Sequence, residues 1–163
     1  MVREEESELE KLKKDYAVLE KKYKLPSFKE LNEDFDIEKS AEHETDFILR
    51  EIRKLVMDKV VAYLRFVEML LNPANSPMFF LALIKGLTSQ DKRILERIYE
   101  KLGDLEIDVI ELDAVYNEED EAEFIKKISK EWKEISKEMV KMVEVLRRNW
   151  HQKSSKGESG YCG

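Results

Sequence analysis

Residues 118–150 read EEDEAEFIKKISKEWKEISKEMVKMVEVLRRNW, and in them Ile125, Ile128, Trp132, Ile135, Met139, Met142 and Leu146 recur at alternating steps of three and four. That spacing puts all seven on one stripe of an α-helix, in the manner of a coiled-coil seam. The acidic start, Glu118-Glu119-Asp120 after Asn117, suits the positive end of the helix dipole. A stripe this narrow needs a second helix to cover it.

The preceding stretch supplies one. Leu95, Ile98, Leu102, Leu105, Val109, Leu112 and Tyr116 repeat the same steps, after Thr88 or Ser89 as cap. With so short a connection the two helices are expected to fold back antiparallel. Residues 71–123 carry 5 basic and 13 acidic side chains, and residues 124–163 carry 10 and 5. The hairpin would set the acidic 104–113 face beside the basic 126–141 face. Gly103 either weakens its helix or lets another chain segment approach.

Further outward, Ile48, Leu49, Ile52, Leu55, Val56, Val60, Tyr63, Leu64, Val67, Leu70 and Leu71 follow the helical period, predicting one helix from about Ser40 to Leu71, its second half the most buried element. Asn72 to Pro77 reads as a loop, and Met78 to Gly86 as a short apolar helix with Gly86 as a left-handed cap. At the other end Leu9, Leu12, Tyr16, Leu19 and Tyr23 form a one-residue-wide stripe on a helix that Pro26 stops. Residues 27–37 read as a connector pinned by Phe28, Leu31, Phe35 and Ile37.

The fold expected is therefore all-α: a bundle of four long helices and one short helix, antiparallel, with coiled-coil-like seams. Five Gly and three Pro leave too few turns for an all-β alternative. Residues 1–152 are expected to form a single helical domain, with 1–24 as a protruding or exchanged helix and 153–163 as a disordered tail. Charged residues reach 40%, and Gln90 and Gln152 are the only glutamines, a balance reported for hyperthermophile proteins. The longest apolar run, Met78 to Ile84, is far short of a membrane span, and the start MVREEESELE lacks the apolar core of a signal peptide. Together with a single cysteine, Cys162, this suggests the cytoplasm and no disulfide.

No catalytic, cofactor or metal constellation is recognisable. His43 lies among Glu42, Glu44 and Asp46, but Ser40 and Arg148 stand three residues before the two histidines, where a di-metal bundle needs glutamates. Asp104, Asp108 and Glu111 share a stripe opposite the seam and read as surface acids. Two interaction sites are expected instead. Arg147, Arg148, Trp150 and Lys153 join cations to an aromatic that can stack on a base, although cations at a helix end also serve its dipole and Trp150 also suits a core position. The stripe Leu9, Leu12, Tyr16, Leu19 and Tyr23 is the candidate interface of a homodimer.

The segments Phe35-Asp36-Ile37, Glu44 to Ile52 and Glu131-Trp132 resemble those of all-helical archaeal proteins of no known activity, over Pro26 to Trp150. A further similarity is to the α-helical domain of the replication scaffold GINS, carried by Leu87-Thr88-Ser89-Gln90-Asp91 and the amphipathic helix after it. The strand-rich part of that family has no counterpart here. Three heptad seams and the lack of a recognisable catalytic constellation point to a non-enzymatic interaction or scaffold protein that binds another protein or a second copy of itself. The alternative is an accessory factor contacting RNA or DNA through the end of the last helix.

Overall fold

The computed structural model describes residues 7–43 and 45–158, with side chains through Gln152, and among them every regular element is helical. The elements are α1 (Glu8–Tyr23), α2 (Phe28–Phe35), a 3₁₀ segment (Ile37–Glu42), α3 (Ile48–Leu71), a 3₁₀ turn (Pro73–Asn75), α4 (Met78–Ile84), α5 (Ser89–Ala114) and α6 (Glu118–Glu158). Polar side chains start four of them. Ser7 and Ser27 hydroxyls accept the backbone N–H of Glu10 and Glu30, and Asn117 accepts that of Asp120. Thr88 and Asp91 cap each other reciprocally at 2.9 and 3.1 Å. Each cap satisfies a backbone donor that the first helical turn leaves without a partner.

Several expectations need correction. Residues 27–37 are not a connector: Ser27 and Glu30 have the spacing of a capping box, and α2 follows, burying Leu31 and Phe35. Helix α3 starts at Ile48, not near Ser40, because the 3₁₀ segment intervenes and Thr45 turns the chain by accepting the Phe47 N–H at 2.9 Å. The stop of α1 is Lys24 at φ 56°, whose left-handed backbone lets Leu25 N–H reach Glu20 O at 3.1 Å. Gly86 is not left-handed. Helix α6 continues to Glu158, beyond the end expected near Trp150, and residues 159–163 lie outside the described ones.

The chain divides into two compact units, Met1–Val60 with Leu105–Glu131 and Val61–Asp104 with Trp132–Gly163. In the first, α1 lies against α2 and the 3₁₀ segment. Tyr16 is fully buried, donates to Pro26 O at 2.5 Å and meets Phe28 edge-on. Burial, then the carboxylates of Glu20 and Glu30, hold its phenol proton well above the ordinary range. The first half of α3 also belongs here and is the better-buried half, through Leu49, Ile52, Val56, Met57 and Val60, which reverses the expectation. At the end of this half Lys59 donates to Asp34 O of α2 and lies over the Phe35 ring. In the second unit, Arg97–Glu138 and Lys101–Glu134 pair at 2.9 Å, descending α5 as they climb α6, so these stretches run antiparallel.

Candidate functional site

Two side-chain clusters stand apart from the aliphatic core, one in each unit. In the first, Arg53 on α3 occupies a position spaced like its buried neighbours Ile52, Val56 and Met57, and is itself buried. Its Nε meets Glu121 Oε2 at 2.5 Å, and Nη2 meets Glu121 Oε1 at 3.1 Å and Asp113 Oδ1 at 2.8 Å. Glu121 is wholly buried four residues before Ile125, on the seam of α6. Burial alone would lower the guanidinium pKa, but hydrogen bonds to Glu121 and Asp113 outweigh it and raise it further. Because each buried charge is met by an opposite one, the cluster ties α3 to the α5–α6 turn. Neither residue was legible as a site: the signals were a charge at a core-spaced position on each helix.

The second cluster is exposed. On α4, Met78 and Phe79 are 75% and 48% accessible and Leu81 is also exposed. Phe79 stacks in a tilted arrangement, centroids 5.3 Å apart, on Trp150 near the end of α6, which is 43% accessible. Phe80 continues the aromatic row toward Phe66. Asn149 holds the two helices together: its buried amide donates to Leu83 O at 2.8 Å, and a Cβ at Gly86 would stand 2.3 Å from its Oδ1. Gly86 is thus required for close approach. Asn149, not Trp150, continues the buried seam beyond Leu146, which turns Trp150 outward. Arg147 and Arg148 are exposed beside it, and the Lys153 side chain lies outside the described ones.

The other expected positions sort differently. Leu12 and Tyr16 are buried within the chain, while Leu9, Leu19 and Tyr23 are half-buried. Tyr23 and Lys22 both donate to Glu118 Oε1, at 2.7 and 3.2 Å, and the Tyr23 bond leads in holding the Glu118 carboxyl below its ordinary pKa. Asp104 and Glu111 are exposed, and Asp108 pairs with Lys127 at 2.6 Å, bringing one acid of the 104–113 face to one base of the 126–141 face. His43 lines a small cleft with Glu8, Asp15 and Glu51, but Glu51 is bound to Lys54. Among the described residues no group of three His, Cys, Asp or Glu side chains could hold a metal ion, and no helix is long and apolar enough to cross a membrane. Comparison of the chain with protein-family models, curated proteins and solved structures finds no match.

Proposed function

We propose that this chain is a non-enzymatic protein–protein interaction or scaffold protein of the cytoplasm, built as an antiparallel bundle on coiled-coil-like seams. Its docking face comprises α4 and the end of α6. The observation that carries this reading is the contiguous exposure of Met78, Phe79 and Trp150, with Arg147 and Arg148 alongside. Folding ordinarily buries such side chains, while tryptophan, methionine and arginine are enriched where proteins meet. Self-association through the α1 stripe would require that helix to exchange between copies, since Leu12 and Tyr16 are already buried in their own chain. The test is retention of proteins from native extract on the immobilised chain and on a Phe79→Ser/Trp150→Ala variant. A protein held by the first and lost from the second is expected; equal retention refutes the docking face.

A second reading, contact with RNA or DNA through Arg147, Arg148, Trp150 and Lys153, is favoured by the outward position of Trp150 next to two exposed arginines. It predicts a salt-dependent gel shift that Arg147→Ala and Arg148→Ala weaken. A shift that survives both changes removes this surface from the account.

A further inference from the structure

We infer that the partner docked by this aromatic, basic face is a second copy of the chain, which receives it in the acidic groove between the end of α5 and the start of α6. The inference rests on the interaction reading above and names its partner. In the first unit that groove is floored by Leu112 and Phe124, with Val115 standing 72% accessible at its edge. Its rim carries Glu111, Asp120 and Glu123. Lys127 lines it too but is bound to Asp108 at 2.6 Å, and Lys126 pairs with Glu123 at 2.5 Å, so Glu111 and Asp120 keep the local charge negative. Ile107 and Ile110, 65% and 68% accessible, extend the apolar surface along α5.

The second unit presents the complement. Val140, Val143, Arg147 and Trp150 recur along α6 at steps of three, four and three, all exposed, forming a stripe beside the buried seam. Phe79 packs on Trp150 and widens its apolar end, while Lys141 and Arg148 give the flank a positive charge that Glu144 only partly offsets. An aromatic–arginine projection facing an acid-rimmed apolar groove matches the anchor-and-pocket anatomy of protein interfaces. Both faces are exposed in one chain, so each copy offers one projection and one groove. The contact joins unlike surfaces, so copies associate head to tail or close reciprocally in pairs.

Sedimentation of the full chain and two exposed-site variants tests this. The wild type is expected to sediment at roughly twice the monomer mass or more, falling toward the monomer as salt rises. Arg147→Glu/Arg148→Glu and Glu111→Lys/Glu123→Lys should each sediment as monomers, with unchanged helical circular dichroism. Mixed, they should associate again, because the reversed basic face of one now matches the reversed groove of the other. A monomeric wild type, association that persists in either variant, or a mixture that stays monomeric would each overturn the inference. If the wild type is monomeric while Phe79→Ser/Trp150→Ala still loses a protein retained from extract, the docking face survives and only its occupant is wrong.

Discussion

Helix α6 begins in one compact unit and ends in the other, and its two stretches meet the problem of a buried polar group in different ways. Near its start Glu121 is buried as an ion, held by both nitrogens of the Arg53 fork. Near its end Asn149 is buried as a neutral amide, donating one bond to a helix-terminal carbonyl in a space that only a glycine leaves open. Losing one partner strands a charge in the first case and costs a single neutral hydrogen bond in the second. The first unit should therefore be the more fragile to truncation of a polar side chain, and the second the more sensitive to added volume.

The largest expected effect follows from the ion pair. Arg53→Met should destabilise the protein by about 3–5 kcal/mol in denaturant unfolding, because Glu121 remains buried without its partner. Adding Glu121→Leu should recover most of that loss, leaving Asp113 with Arg50 at 3.8 Å. If the double variant is no more stable than Arg53→Met, the charge is not the cause. Next comes Gly86→Ala, whose Cβ collides with the Asn149 amide. A cost of about 1–3 kcal/mol is expected, shrinking when Asn149→Ala is present, as contacting residues couple. Gly103→Ala should act oppositely. A Cβ there meets nothing within 4 Å, and α5 runs through it unbroken, so about 1 kcal/mol of stabilisation is expected in a thermal melt.

The smallest effect is a pH dependence at the docking of α1. Tyr23 and Lys22 lower the Glu118 pKa below its ordinary 4.5, so its contribution is present above that value and disappears as pH falls through the depressed one. Glu118→Gln should accordingly be less stable than the wild type at neutral pH, with the gap closing in acid. A gap independent of pH would mean that the carboxylate charge does not hold α1.

The apolar seams were legible because period alone specifies them. All seven residues of the α6 stripe are buried, as are Leu95, Ile98, Leu102 and Leu105 of α5. Periodicity misled where a polar residue took a core position. The core position that also suited Trp150 is taken by Asn149, because an amide inside is intelligible only once the Leu83 carbonyl is seen beside it. Arg53 and Glu121 went unread for the same reason: each is an ordinary surface residue until the other, 68 positions away, neutralises it. The Ser27–Glu30 spacing is a helix-start signal in the sequence, but α2 is only eight residues long and its apolar positions resemble those of a pinned loop. For the candidate site, the cations and tryptophan at the end of α6 were visible in sequence. Their junction with Phe79 on α4 depends on a contact between distant segments.

The most direct test of the central claim, that the α4–α6 face is a docking surface, uses the chain's own fluorescence. Trp132 is buried and Trp150 is exposed, so Trp132→Phe leaves the docking face as the sole reporter. In that variant, emission from dilute protein should be that of a solvated indole, readily quenched by acrylamide. As concentration rises and copies associate, it should move to shorter wavelength and become protected. Association seen by sedimentation with the Trp150 emission and quenching unchanged would contradict the account.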